Sequence, residues 1–427
     1  MNERIEKLGA AISAQTDKNP DRAAQMLSLT YRALGTGAKH FPPKKLTASR
    51  SYLQAYTADL LAGMLRDPSH SAVVNIFMPS EIFSALDMPI TAPEALAAYV
   101  VNTACERVFI EKAEEQGAPE TYCSYHKVLT GMAEAGVMKA PAMIANTALA
   151  CDANQLSFRR LAELWKVPHV LIDVPLHVDE DAVDYVAAEL RGLAHVAEEC
   201  AGKKLDPDRL RQCVARSDAQ LRNYRKYLQR RPSVHLPEAL TPELLNAVCN
   251  HLYLGTEEGL NYSRLLLEDV AKAPARGPER HILWMHVLPN WQTSVKEIFQ
   301  GEDNHRVEIV GCDLAYSSLT RMDPDKPYES MARRLVYDSF NGPGSRRIEA
   351  TLQLARKMKV DGILIFCQWG CKQTQGLAYT AKRAFEAEGF PTLVLDGDAC
   401  DRTNSGSGQL VTRANAFVEQ LEAAALH

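Results

Sequence analysis

No stretch of this sequence stays apolar long enough to cross a bilayer. Its most apolar runs, SAVVNIFM and DGILIFC, fall far short of the roughly 20 residues that a spanning helix requires. The opening residues, MNERIEKLGAAISAQTDKNP, are charged and lack the continuous apolar segment of a secretory leader. A cytoplasmic chain with no membrane association is therefore expected. A basic surplus is missing too. Against 53 Asp and Glu stand 48 Lys and Arg, for a formal charge of -5. That balance argues against a general nucleic-acid binder, which needs excess cations to neutralise phosphates. There is no G-x-x-x-x-G-K-[ST] and no G-x-G-x-x-G, so nucleotide binding by this chain is unsupported and any ATP use falls to a partner. Compact C-x-x-C pairs, zinc-ribbon spacings and a ferredoxin-type cysteine run are also absent.

What is present is an ordinary globular composition, 46% hydrophobic and 24% charged over 427 residues. Such a length exceeds what one core serves, so two or three domains are expected. Residues 1–70 read as a polar helical region, with patterns around Arg22–Leu34 and Ser51–Leu65 broken at Phe41-Pro42-Pro43. From 71 to 177 the texture becomes α/β. Short apolar runs (SAVVNIFMP, APAMIANTA and VPHVLIDVP) alternate with helical stretches at Ala92–Gln116 and Gln155–Trp165. Residues 178–279 lose the strand signal and form a helical connector, closed by the linker-like KAPARGPER. From 280 to 427 four strands return: HILWMHV, RVEIVGCD, DGILIFCQ and PTLVLDGD. The fold class is thus α/β, with two Rossmann-like parallel-sheet domains, an N-terminal helical region and a helical middle segment.

In a reducing compartment the ten cysteines are not expected to pair, and most should be small buried residues. Two stand out. In each α/β half a late strand runs into a cysteine, MIANTALACD reaching Cys151 and ILIFCQWGCK reaching Cys371, and another apolar strand follows. This points to a structural duplication, and ligands bind such sheets outside the carboxyl ends of the strands. Cys123, in TYCSYH, precedes a strand by about 18 residues. Spacing alone leaves two readings open, a metal or cluster site and three unrelated cysteines.

The segments TYCSYHKVLTG, LACDANQ before VPHVLIDVP, and WGCKQTQG before PTLVLDGDACDRTNSGSGQLVTRANAF resemble the D-component subunits of the 2-hydroxyacyl-CoA dehydratases and their benzoyl-CoA reductase relatives. The resemblance runs from about Val73 to the C-terminus and is weaker through the helical middle. It implies a [4Fe–4S] cluster held by Cys123, Cys151 and Cys371, which leaves one iron with a non-cysteine ligand. It also implies an oxygen-sensitive lyase that eliminates water from a 2-hydroxyacyl-CoA through a one-electron ketyl radical. The acyl-CoA substrate would be joined by a paralogous second subunit, or a second copy of the chain, and by an ATP-dependent iron–sulfur activator. Three other outcomes fit the same residues: a benzoyl-CoA-reductase-like enzyme, a stand-alone homodimeric cluster reductase, or a non-catalytic electron-transfer or structural subunit. The extra cysteines Cys105, Cys312, Cys367 and Cys400 leave room for an enlarged cluster.

Several further residues have both a chemical and a structural reading. Glu81 follows Pro79-Ser80 where the family often has Pro-x-Glu, so Glu81 is a candidate base and Ser80 a candidate donor to substrate. A helix N-terminal carboxylate and cap explain them equally simply. His126 could orient a ligand and Lys372, which with Trp369 flanks Cys371, could offset cluster charge. Asp396, Asp398 and Asp401 suit a structural role at a strand end, and Gln409, Thr412 and Arg413 a fastening of the last helix. NGPGSRR (Asn341–Arg347) could cradle a phosphate at a helix start.

Overall fold

The computed structural model describes residues 3–42, 46–236, 240–289, 291–300, 306–404 and 406–424. Three helices come first: α1 (Glu3–Thr16), α2 (Pro20–His40) and α3 (Ala48–Arg66). The Asn19 side chain caps α2 by accepting from the Arg22 amide at 3.0 Å, and Pro20 occupies the first helical position, where no N–H is needed. Ser28 of α2 donates to the Ala62 carbonyl of α3 at 2.7 Å, fixing that pair.

The first α/β half follows as β1 (Ala72–Val74), α4 (Glu81–Ala85), β2 (Ile90–Thr91), α5 (Pro93–Val101), α6 (Glu106–Glu115), α7 (Ser124–Glu134), β3 (Met143–Thr147), α8 (Asp152–Trp165) and β4 (His169–Ile172). Four connector helices come next: α9 (Glu180–Ala201), α10 (Pro207–Arg230), α11 (Leu240–Leu252) and α12 (Glu257–Lys272). The second half comprises β5 (Arg280–Met285), α13 (Thr293–Gln300), β6 (Val307–Cys312), α14 (Pro327–Val336), α15 (Gly344–Met358), β7 (Gly362–Gln368), α16 (Lys372–Ala387), β8 (Thr392–Gly397) and α17 (Ser407–Ala424).

Both sheets are four-stranded, and every described strand pair is parallel. Their orders, β2-β1-β3-β4 and β6-β5-β7-β8, are the same path traced twice. The duplication read from the two cysteine-ended strands is therefore present in the topology. In each sheet the chain steps outward once and then back across its first strand, which opens a crevice between β1 and β3 and another between β5 and β7. Helices cover the strands on both faces, so the strands carry unbroken apolar runs rather than alternation. Trp284 of β5, for example, stacks on Phe366 of β7 at 5.9 Å and meets Phe299 of α13 edge-on at 5.8 Å.

Three local differences from the sequence reading have physical causes. Of SAVVNIFMP only three residues pair as a strand. The Asn75 side chain replaces the ladder by accepting from the Thr147 amide at 3.0 Å and donating to the Thr147 hydroxyl at 3.1 Å. The single helix expected over Ala92–Gln116 is two helices, because the chain turns between them with Ala104 at φ 57° and Thr103 bonded back to the Val100 carbonyl at 2.7 Å. Strand β2, two residues long, is too short to register as a periodic pattern.

The close packing of α7 on α6 rests on Gly131, where an added Cβ would lie 1.7 Å from the Phe109 carbonyl oxygen. Gly131→Ala should destabilise the chain by about 1–3 kcal/mol in urea unfolding. Glu243 supplies a pH signature. Burial raises its carboxyl from 4.5 to about 7, only partly offset by Arg231 and by bonds from Asn246 and Tyr316. Between these values the folded chain keeps a proton that the unfolded chain has released, so stability falls as pH rises through the window. Glu243→Gln should match the parent near pH 4.5 and melt above it at pH 8.

Candidate metal centre

Each of the three singled-out cysteines is the N-cap residue of a helix. Cys123 precedes α7, Cys151 precedes α8 and Cys371 precedes α16. None contributes a side-chain cap bond, so the first amides of three helices and their positive dipole ends face the same region as the thiols. Cys151 and Cys371 hold equivalent places, just past the third strand of each sheet. Cys123 starts the helix that leads into β3, and its counterpart in the second half is the start of α15, at Gly344. All three cysteines and Gly344 line one cavity of about 420 Å³ between the halves, together with Leu156 and Leu377.

Two features bring the halves close enough. Gly370 takes φ +77°, and a Cβ there would lie 2.7 Å from the Cys123 amide nitrogen and 2.8 Å from the Thr121 carbonyl oxygen. Only glycine lets the loop carrying Cys371 touch the loop carrying Cys123. Behind that contact is a buried lock. Ser124 donates to Asp398 Oδ1 at 2.6 Å, Gln368 Nε2 donates to the same oxygen at 2.9 Å, and Gln368 Oε1 accepts from the Ala399 amide at 2.8 Å. The amides of Cys400 and Asp401 also donate to Asp398 Oδ1, at 2.8 and 2.9 Å. A third feature is strain, since Ala150 enters Cys151 at φ 61°, a conformation that an L side chain resists.

The electrostatics call for positive charge in the cavity. Burial, and then Cys151 and Cys371, push the Cys123 thiol well up. Cys151 is raised by burial, then by Glu94 and Cys371. A cationic group in the cavity would favour the thiolate forms of Cys123 and Cys151. His126 sits beneath. Burial lowers it to about 3, so its ring is neutral, with Nδ1 2.8 Å from Ser157 Oγ and Nε2 3.6 Å from Cys151 Sγ.

The structure does not bring Ser80 and Glu81 to this cavity. Ser80 donates to the Leu254 carbonyl at 2.8 Å and lines a separate cavity of about 340 Å³. Glu81 is fully buried and accepts from Ser217 of α10 at 2.7 Å. The carboxyl that does lie within electrostatic reach of Cys151 is Glu94, in the first turn of α5. Its Oε2 is buried with no partner, and burial raises the group to about 7. Sequence reasoning passed over it because Pro93-Glu94 reads as an ordinary helix start; the signal was a second Pro–Glu element beside the one weighed at residues 79–81.

Lys372 and Asp152 pair at the rim at 3.3 Å, both largely exposed. Asp398 has the strand-end role described above, and Asp401 pairs with Arg107 at 3.3 Å. Arg413 of α17 donates to the Val394 carbonyl of β8 at 2.6 Å, fastening the last helix. Asn341 of the NGPGSRR segment bonds the Pro175 carbonyl of the other half at 2.9 Å. Cys105, Cys312, Cys367 and Cys400 are buried.

A pair of duplicated parallel sheets joined by a thiol-lined cleft defines an α/β protein of Rossmann-like halves with an interdomain sulfur site. The chain belongs to the 2-hydroxyglutaryl-CoA dehydratase, D-component family, which it matches over residues 75–421. It is similar to the alpha subunit of (R)-2-hydroxyglutaryl-CoA dehydratase from Acidaminococcus fermentans, 26% identical over 64% of this chain and 59% of that relative. It also resembles the (R)-phenyllactyl-CoA dehydratase alpha subunit of Clostridium sporogenes, 23% identical over 81% of this chain and 88% of the relative. The lactoyl-CoA dehydratase alpha subunit of Anaerotignum propionicum is 22% identical over 81% and 89% of the two chains. No helix among the described residues is long and apolar enough to cross a membrane.

The Gly370 contact is testable by substitution. Gly370→Ala should push Cys371 away from Cys123 and lower the metal content of anaerobically prepared protein several-fold, with the far-UV circular dichroism unchanged. Parent-level metal in that variant would show the contact to be dispensable.

Proposed function

We infer that this chain is the iron–sulfur subunit of a 2-hydroxyacyl-CoA dehydratase-type lyase, working in the cytoplasm on an acyl-CoA. The observation that carries the reading is the placement of Cys123, Cys151 and Cys371 at three helix N-termini around one cavity, in a chain of this family. The donor set suits a [4Fe–4S] cluster. One tetrahedral ion would draw its sulfurs to about 3.8 Å apart. Among the described residues the three thiols do not belong to any group whose ligand atoms lie within 4.8 Å of one another, which favours a larger inorganic core. Three thiolates on four irons leave one iron open, and such a cluster supplies one-electron chemistry at the substrate thioester.

The chain's own residues do the rest. Helix N-termini balance thiolate charge, and neutral His126 steadies Cys151 without adding a positive charge. Leu156 and Leu377 give the cavity wall its apolar part. Glu94, held near neutrality by burial, is the group we assign to hold and release a proton at its Oε2. It is preferred to Glu81 because Glu81 is engaged by Ser217 of α10, whereas the Glu94 Oε2 has no partner and its carboxyl acts on Cys151. The relatives are named as alpha subunits, which supports a paralogous partner subunit, and an ATP-dependent iron–sulfur activator would deliver the electron.

Anaerobic purification should yield a brown protein with about four irons per chain. Cys123→Ala, Cys151→Ala and Cys371→Ala should lose that iron, and Cys249→Ala should keep it. A colourless, iron-free anaerobic protein would sink the reading. Glu94→Gln should keep its iron while turnover of the assembled complex falls by about 100-fold or more. Unchanged turnover there would remove Glu94 from the chemistry and leave the cluster assignment standing.

A further inference from the structure

A second cluster of ligand-type side chains lies at the opposite end of the second sheet. His235 Nδ1 is 3.2 Å from Glu279 Oε1 and 3.1 Å from Glu308 Oε2. The three ligand atoms all fall within 4.8 Å of one another, and this is the group of that kind found among the described residues. Both carboxylates are buried, at 2% exposure each. The residues come from three separate parts of the chain. His235 follows the turn after α10, Glu279 ends the linker after α12, and Glu308 is the second residue of β6. The two connector ends are already paired there, with the His235 amide donating to the Pro274 carbonyl at 2.9 Å and the Arg276 amide to the Ser233 carbonyl at 3.0 Å.

We propose that His235, Glu279 and Glu308 bind a divalent first-row cation, zinc being the simplest case, that clips the helical connector to the N-terminal edge of the second sheet. The spacing is one argument. Ligands about 2.1 Å from a common ion stand about 3.0–3.4 Å apart along a coordination edge, and the two His235 contacts have that length. Charge is a second argument. Glu308 already has Arg231 as a permanent partner and accepts from the Leu236 amide at 2.8 Å. The ion pair of Glu279 among the described residues is with His235 alone, so a buried carboxylate is left facing an imidazole and no Lys or Arg.

An independent observation points to an absent ion. His281 is fully buried, and neither ring nitrogen has a hydrogen-bond partner. It lies on β5 directly across from Glu308 in the parallel register, so the two side chains share a sheet face. A buried imidazole with two idle nitrogens is costly unless something electrophilic lies nearby. His281 stands outside the group of three, on the same sheet face as Glu308, as an unpartnered imidazole beside the site. An imidazole and two carboxylates, with a second imidazole in reserve, suit zinc or a neighbouring first-row ion and not calcium or magnesium.

The site shares no residue with the cysteine cavity, and its test is separable from that of the proposed function. Chelator-stripped full-length protein is titrated with Zn²⁺ against a chromophoric competitor beside the Cys123→Ala/Cys151→Ala/Cys371→Ala variant, whose emptied cavity has no thiols to compete, and that variant loaded with zinc is examined by X-ray absorption at the zinc edge. The expected result is one tight Zn²⁺ per chain with a first shell of nitrogen and oxygen near 2.0–2.1 Å. Affinity should fall by about 100-fold in both His235→Ala and Glu279→Gln, and stay intact in Cys123→Ala. The melting temperature should rise with zinc in the parent and in the cysteine variants only. Sulfur in the first shell, affinity unchanged in Glu279→Gln, or no stoichiometric binding would each overturn the proposal. In the last case a shared proton alone joins His235 to the two carboxylates. If His235→Ala fails to fold, Glu279→Gln and the absorption spectrum still decide.

Discussion

The cysteine site depends on one steric condition: the loop after β7 must touch the loop before α7. Gly370 meets that condition by having no Cβ where the Cys123 backbone lies 2.7 Å away. The Asp398 carboxylate sets the distance from behind, gathering Ser124 of one half and Gln368 of the other onto a single oxygen. These two features convert a pair of similar sheets into one cavity. Without them the three thiols would no longer line one shared cavity.

The duplication explains why the site has the shape it has. Each half offers a helix start before its third strand and another after it, so four helix N-termini converge. Three carry cysteine and the fourth carries Gly344, and the asymmetry between two like halves leaves one corner of the cavity free of thiol. His126 and Glu94 both belong to the first half, behind the residues that line the cavity, whereas the thiol-free corner belongs to the second.

Much of the frame was legible in the amino-acid order. Buried parallel strands are short unbroken apolar runs, so RHILWM, VEIVGC and GILIFC announced themselves, and strands that end in cysteine marked Cys151 and Cys371. Cys123 was legible only through the family's motif, because a thiol that starts a helix has no local pattern setting it apart. The burial of Glu94 and the Gly370 contact could not be read, although the Pro93-Glu94 pair itself was in view. The first depends on burial of a carboxyl by distant segments, and the second on an approach between residues about 250 positions apart. Ser80 and Glu81, read as candidate substrate contacts, lie away from the cysteine cavity for the converse reason. A Pro-x-Glu at a strand end has a meaning that depends on what covers it, and here α10 covers it through Ser217. Likewise β1 stops early because Asn75 outbids the ladder, a contest that propensity does not score.

The division of the three thiols between the halves also orders the birth of the site. Cys123 and Cys151 leave the ribosome early, and Cys371 follows about 220 residues later, an interval of roughly 10–40 s at ordinary synthesis rates. During that time two cysteines stand at helix starts with no third to complete a binding pocket. A cofactor held by all three thiols, as proposed above, would find its full set of ligands only after the second sheet has formed against the first. Its binding would then follow domain docking, and a nascent chain stalled before β7 would carry two of the thiols without the third.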